Sequence, residues 1–177
     1  MFEKTLVILK PDALARNLVG RIITRFEEAG LRVANIKLIA KADEKTLGAH
    51  YGEDPEWIKG LGNKTLSFYA EKGLDVKRDQ GTDDPLALGK MIRGWLINYI
   101  SSGPIIPMVI EGNEAISIVR KLLGNTMPPL ADPGSIRGAF AGDSSDVANA
   151  EKRAVKNLVH ASGNAAEAQH EIKLWFG

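Results

Sequence analysis

The chain has 177 residues and no cysteine. That absence excludes a disulfide framework, a thiolate nucleophile and any cysteine-ligated zinc or iron–sulfur centre. It fits a reducing compartment. An excess of one charge is also missing, since 23 Lys and Arg face 22 Asp and Glu, for a net +1. A strongly basic nucleic-acid clamp is therefore not the first reading, although a local cluster of cations can still bind phosphate. No stretch approaches the roughly 20 apolar residues that cross a bilayer. The N-terminal apolar run is too short for a signal h-region, and no small-residue cleavage site follows it. We expect a soluble, cytoplasmic protein with no nucleic-acid or membrane partner. Neither Gly-x-x-x-x-Gly-Lys-Ser/Thr nor Gly-x-Gly-x-x-Gly occurs, so P-loop and dinucleotide fingerprints are absent. Aromatic residues are only 6% of the chain. None lies inside the apolar runs of the expected strands, which disfavours a base-stacking RNA-binding module.

What is present is an ordinary globular mix, 44% hydrophobic and 25% charged, on a length that suits one domain over residues 1–177. Residues 4–9 predict a buried strand that Pro11-Asp12 ends. Residues 17–29 predict an amphipathic helix stopped by Gly30. Residues 31–40 predict a strand with a bulge, and residues 44–52 a short helix. Between 53 and 84, Pro55, Gly60, Gly62 and Gly73 interrupt the pattern, leaving a short helix at 64–72. A clear helix returns at 85–101, with Pro85 in its first turn. Residues 105–110 predict a strand that Gly112-Asn113 ends, and Pro107 inside it suggests an edge or a bulge. A helix at 115–123, a long loop at 125–148, a strand at 156–160 and a final helix at 164–175 complete the chain. Without the irregular middle this is βαββαβ, the ferredoxin-like α+β arrangement, an antiparallel sheet covered by helices.

Three histidines occur: His50, His160 and His170. His50 and His170 read as structural or solvated. His160 ends the expected strand Asn157-Leu158-Val159-His160 and precedes the small-residue turn Ala161-Ser162-Gly163. A side chain there is held by the sheet yet open to solvent, and neutral imidazole is nucleophilic near pH 7. If the last helix packs back along this strand, Glu171 can reach a ring nitrogen of His160; by spacing alone it reads as a solvated helix residue. Lys10, Arg120 and Arg137 each sit beside turn-forming residues. Together they would suit a polyphosphate, and singly each is an ordinary surface charge.

Three segments then resemble one family. Leu9-Lys10-Pro11-Asp12-Ala13, Gly134-Ser135-Ile136-Arg137-Gly138 and Asn157-Leu158-Val159-His160-Ala161-Ser162 stand in family order, followed by Glu171-Ile172-Lys173-Leu174-Trp175-Phe176. They resemble nucleoside diphosphate kinases over residues 2–51 and about 90–177. The resemblance implies that a nucleoside triphosphate phosphorylates His160 and that a nucleoside diphosphate then takes the group, a ping-pong exchange. It implies that Glu171 orients His160 and Ser162 supports Glu171. Lys10, Tyr51 and Asn157 would contact the nucleotide, with Arg120, Thr126 and Arg137 gripping its phosphates. Mg²⁺ would bridge those phosphates with few protein ligands, no residue of the chain being assigned as a metal ligand, and the chain would form a hexamer or tetramer. The surplus length at about 53–90 reads as an inserted helical segment, where the family places a base-stacking aromatic. Trp57, Phe68 and Tyr69 are the candidates, with Ile92 and Arg93 nearest by direct alignment. Ala139 and Gly163 stand where the family carries acidic residues. The competing class is a non-enzymatic nucleotide- or partner-binding protein on the same fold.

Overall fold

The computed structural model describes residues 1–177. Strand β1 (Phe2–Leu9) is buried from Thr5 to Leu9. Its side chains alternate between two cores. Val7 and Leu9 pack with Ile22 and Phe26 of helix α2 (Val19–Glu28), and with Val119 of α7 (Ala115–Leu123). Leu6 and Ile8 pack with Leu47 of α3 (Glu44–His50), Ile100 of α6 (Pro85–Ser101) and Trp175 of α10 (Ala165–Phe176). A strand buried on both faces has no polar side, which is why it reads as an unbroken apolar run. Strands β2 (Arg32–Ile36), β3 (Ile106–Asn113) and β4 (Val159–Ala161) complete an antiparallel sheet in the order β2-β3-β1-β4. This is the ferredoxin-like βαββαβ arrangement, an α+β fold.

Several local expectations change. The 31–40 strand shortens to β2, and its register shifts between Val33 and Asn35, the expected bulge. β3 is an interior strand despite Pro107. The Pro107 carbonyl accepts from Lys37 N–H, just past the end of β2, so the missing proline N–H falls where the β2 ladder has already stopped. β3 also runs through Gly112 to Asn113 rather than ending before them. The loop at 125–148 contains a 3-10 turn (Pro128–Leu130) and two short helices, α8 (Ile136–Phe140) and α9 (Ser145–Ala150), each helix capped by a serine.

The largest correction is the inserted segment. Helix α4 is continuous from Pro55 to Lys72, with Asp54 capping its start and left-handed Gly73 its end. Helix α5 (Val76–Gln80) follows. Pro55 sits in the first turn, where its missing N–H costs nothing. Gly62 is a contact residue instead of a break, and Gly89 of α6 is a second one. A Cβ on Gly62 would lie 1.9 Å from the Pro85 carbonyl oxygen, and one on Gly89 would lie 1.9 Å from that of Ile58. The two glycines therefore let α4 and α6 approach backbone to backbone. No helix is long and apolar enough to cross a membrane.

This packing separates the glycines by role. Gly62→Ala and Gly89→Ala should each destabilise by about 1–3 kcal/mol through overpacking. Gly60→Ala, with open space at its Cβ, should be neutral or stabilising by about 0.5–1 kcal/mol. Urea unfolding of the three variants would measure this, and equal effects at all three positions would contradict the close approach.

Candidate active site

The turn before β4 sets the site. Val159 N–H donates to the Asn157 carbonyl across a three-residue turn at 2.8 Å, with buried Leu158 at φ 69°. A positive φ at a bulky residue is strained and persists only where its surroundings enforce it. Here Leu158 N–H donates to Asp12 Oδ2 at 3.2 Å, and the Leu158 carbonyl accepts from Lys10 N–H at 2.8 Å. The turn delays β4 to residue 159, so His160 lies mid-strand, paired with Ile8. Val159 and Ala161 point into the α2–α7 core, and the pleat turns His160 to the α10 side.

Helix α10 meets it there. Asn164 and Glu167 form a reciprocal cap: Glu167 N–H donates to Asn164 Oδ1 at 2.9 Å, and Gly163 N–H donates to Glu167 Oε2 at 2.7 Å. This fixes the start of α10, and Glu171 follows on the face that also buries Ala168 and Trp175. Glu171 Oε1 lies 2.9 Å from His160 Nε2. Ser162 Oγ donates to Glu171 Oε2 at 2.5 Å and accepts from Leu6 N–H at 3.3 Å, so β1 braces the serine. Burial opposes ionisation of Glu171, but the hydrogen bond and charge of His160, with His50 and Ser162, outweigh it and hold the carboxyl below its usual range.

The cations gather on the other side. Lys10 is buried, and its Nζ donates to Asn157 Oδ1 at 2.7 Å. Asn157 Nδ2 in turn donates to the Thr126 carbonyl at 3.0 Å. Burial, reinforced by the Arg137 charge, lowers the Lys10 pKa to about 7. Arg137 is held by three backbone carbonyls: Gly124 at 2.8 Å, Val159 at 2.7 Å and Asn157 at 3.3 Å. Burial and the nearby Arg120 charge lower its pKa to about 10. Arg120 itself is exposed at the end of α7, and Thr126 is exposed.

Tyr51 is buried beside His50, their ring centroids 4.8 Å apart. His50, taken from sequence as merely structural or solvated, packs edge-on against His160 at 4.5 Å. Its Nδ1 accepts from Trp175 Nε1 at 3.3 Å and lies 3.5 Å from Glu171 Oε1. Burial, then the His160 charge, pushes its pKa down to about 3, so the ring is neutral. The sequence signal was adjacency to Tyr51, but burial of a helix C-terminus against α10 is not legible from spacing. Asp12 and Tyr99 were missed too. Asp12 Oδ1 accepts from the Tyr99 hydroxyl at 2.6 Å, and that hydroxyl accepts from Asn157 N–H at 3.1 Å.

Among the base-contact candidates, Tyr69 is buried, its hydroxyl accepting from Gln80 Nε2 at 2.7 Å. Arg93 donates to the Tyr51 carbonyl at 2.6 Å, closing the end of α3. Trp57 remains partly exposed and stacks on Tyr51 at 6.4 Å. Phe68 lines a cavity of about 670 Å³ that also reaches Lys72, Thr126, Met127 and Asp146.

A histidine held by a carboxylate–serine pair, opposite buried cations, invites comparison with known proteins. The sequence model of the nucleoside diphosphate kinase family matches residues 3–71 and 88–177. The chain belongs to the nucleoside diphosphate kinase family. It is an enzyme with that family's phosphotransferase activity. It is 50% identical to a nucleoside diphosphate kinase of Pyrobaculum aerophilum over 174 residues, 98% of this chain and 94% of the relative. A Sulfurisphaera tokodaii nucleoside diphosphate kinase is 37% identical, covering 98% and 88%. The crystal structure of an NDP kinase from P. aerophilum superposes with a TM-score of 0.96 at 47% identity, covering 100% of this chain and 97% of that one. A Borrelia burgdorferi nucleoside-diphosphate kinase, a transition-state mimic with bound vanadate and ADP, gives 0.78 at 34% identity, covering 99% and 88%. The family match leaves out residues 72–87, the end of α4 through the start of α6.

Lys10 carries a pH test. Its pKa is about 7 in the folded chain against 10.5 for a free lysine. Between those values the unfolded chain holds a proton that the folded one does not, so stability rises with pH across that window. Lys10→Met should therefore raise the thermal midpoint most below about pH 7, and the gain should shrink toward pH 10.5. Melting curves over a pH series would show it; a gain that grows with pH would contradict the buried-cation reading.

Proposed function

We propose that the chain exchanges the terminal phosphoryl group between nucleoside tri- and diphosphates by a ping-pong route through phosphohistidine at Nδ1 of His160. The supporting observation is the division of labour between the two ring nitrogens. Nε2 is taken by Glu171 at 2.9 Å, while no hydrogen bond engages Nδ1. With Nε2–H donating to Glu171, the lone pair lies on Nδ1 and attacks the terminal phosphorus. The bond to the diphosphate oxygen breaks, and the nucleoside diphosphate leaves. A second nucleoside diphosphate reverses the step. Glu171 stabilises the positive charge that the ring gains on phosphorylation, as a buried carboxylate does behind a catalytic histidine. Lys10, Arg120 and Arg137 offset charge on the phosphate oxygens, and Tyr51, Thr126 and Asn157 complete the nucleotide contacts.

The donor set fits Mg²⁺ that arrives on the nucleotide. Asp12 is engaged by Tyr99 and Leu158, and Glu171 by Ser162 and His160. The remaining side chains are cations, hydroxyls and an amide, a poor cage for a hard cation and a good one for phosphate. When bound, Mg²⁺ neutralises charge across the terminal phosphates. We also propose a homo-oligomer, a hexamer or tetramer, in the cytoplasm. Edge strand β2, with Ile36 and the following Leu38 exposed, supports a self-association surface.

Incubation with labelled ATP should give acid-labile, alkali-stable phosphate on the wild type and none on His160→Ala. Phosphorus NMR should assign it to Nδ1; an Nε2 adduct would refute the proposed geometry. Glu171→Gln should slow both half-reactions by about 10- to 100-fold, the value of a hydrogen bond to a charged group.

A further inference from the structure

We infer that Trp175 and His50 act together as positioning residues for phosphoryl transfer. Trp175 fixes which nitrogen of His50 carries the hydrogen, and His50 then leaves Glu171 free to fix the hydrogen of His160. This role rests on the proposed transfer through Nδ1 of His160.

His50 ends α3 with its side chain only 1% exposed. Its ring centroid lies 5.7 Å from that of Trp175 and 4.5 Å from that of His160. The ring is neutral, so it carries one N–H and one bare nitrogen, and its neighbours decide which is which. Indole can only donate, and Trp175 Nε1–H is aimed at His50 Nδ1 at 3.3 Å. The lone pair of His50 is therefore on Nδ1 and its hydrogen on Nε2. Taken alone, His50 would not favour this form. Nε2 is buried and has no hydrogen-bond partner, so the N–H goes unpaired.

The other tautomer would pair better. It would aim Nδ1–H at Glu171 Oε1, 3.5 Å away, a long approach that a small side-chain shift would close. Trp175 stands one helical turn beyond Glu171 on the buried face of α10, so both reach the same nitrogen of His50. The indole occupies that nitrogen and denies it to the carboxylate. Trp175 thus holds His50 in a form that the ring's own polar atoms disfavour.

The benefit falls on His160. Ser162 holds Glu171 Oε2, while Oε1 faces two imidazoles, His160 Nε2 at 2.9 Å and His50 Nδ1 at 3.5 Å. With His50 Nδ1 bare, His160 is the only one of the two rings that can donate to Oε1. That bond keeps the His160 hydrogen on Nε2 and the lone pair on Nδ1, the nitrogen that attacks phosphorus in the proposed route. An N–H at His50 Nδ1 would share Oε1 and weaken its hold on His160. The His160 hydrogen could then pass to Nδ1, where no lone pair would remain for phosphorus. Each neutral ring keeps one hydrogen throughout; only the nitrogen that bears it changes.

Nitrogen NMR of the histidine rings separates N–H from bare nitrogen. At alkaline pH the wild type should show hydrogen on Nε2 and a bare Nδ1 in both His50 and His160. Trp175→Phe removes the donor and keeps an aromatic filler. It should move the His50 hydrogen to Nδ1 and shift the His160 Nδ1 signal toward N–H. Phosphoryl uptake from saturating ATP should slow by about 3- to 10-fold, the effect of weakening one hydrogen bond to a charged group. Benzothienylalanine at position 175 keeps the shape of the indole and lacks its N–H. It should act as Trp175→Phe does, and it replaces that variant if Trp175→Phe does not fold. Adding His50→Phe to Trp175→Phe removes the competing donor, in space that the smaller ring at 175 vacates. Uptake in the double variant should be faster than in Trp175→Phe alone, whereas a merely structural role makes it slower. Hydrogen on Nδ1 of His50 in the wild type would overturn the role. So would unchanged His160 signals in the folded single variant, or a double variant no faster than the single one. A wild type with the expected tautomers that never takes up phosphate leaves the relay of hydrogen bonds standing and refutes the phosphohistidine route, and the positioning role with it.

Discussion

Glu171 keeps an ionised carboxylate only 7% exposed between β4 and α10, and it can do so because several groups face it. An unpaired charge there would be neutralised by taking up a proton. Ser162 and His160 hydrogen-bond its two oxygens, and the charge of His160 favours the ionised form. Those partners come from a strand and its exit turn, and the carboxylate comes from the helix after them. The reciprocal cap at Asn164 and Glu167 sets the start of that helix. A helix begun one residue later would rotate Glu171 away by roughly a quarter turn. The orientation of His160 is thus fixed by backbone geometry at the head of α10.

The cationic half of the site is arranged in the opposite sense. Lys10 and Arg137 are both buried; burial and the Arg137 charge lower the proton affinity of Lys10, and burial and the Arg120 charge lower that of Arg137. Arg137 is pinned by three carbonyls, and Lys10 by Asn157, so neither can swing out to relieve the repulsion. The site therefore holds positive charge that folding alone disfavours and a polyanion favours. In the proposed route, such preorganisation would let phosphate charge meet fixed dipoles and cations without reorganisation. The strained turn at Leu158 belongs to the same pattern, because it presents Asn157 to the cations and His160 to the carboxylate.

Much of this was legible in the sequence, and the gaps have physical causes. The run at residues 5–9 announced an interior strand, and the order of helices and strands announced the sheet. His160 and its small-residue turn stood out, and Lys10 and Arg137 were placed beside turns. α4 was hidden because Gly60 and Gly62 look like helix breaks by propensity, whereas Gly62 serves a close backbone approach to Pro85. Pro107 looked like an edge marker because only the partner strand's end explains it. His50 escaped notice since burial against Trp175 and His160 is a tertiary fact, and so did the link from Asp12 through Tyr99 to Asn157. Spacing shows which residues share a face of one element; it does not show which elements meet.

The site is stitched from both ends of the chain. Lys10 bonds Asn157, Leu6 bonds Ser162, and Lys37 bonds the Trp175 carbonyl, spans of 147, 156 and 138 residues. During synthesis, β1 leaves the ribosome before either neighbour, β3 or β4, and waits as an apolar strand without them. Contacts of such sequence separation slow folding, because loop closure is complete only when the last partner arrives. A chain that stops short of α10 leaves Leu6, Ile8 and Leu47 without the cover of Trp175. The exposed strand then becomes a substrate for chaperones or for its own neighbours. The contacts that orient His160 through Glu171 thus form only after α10 has docked.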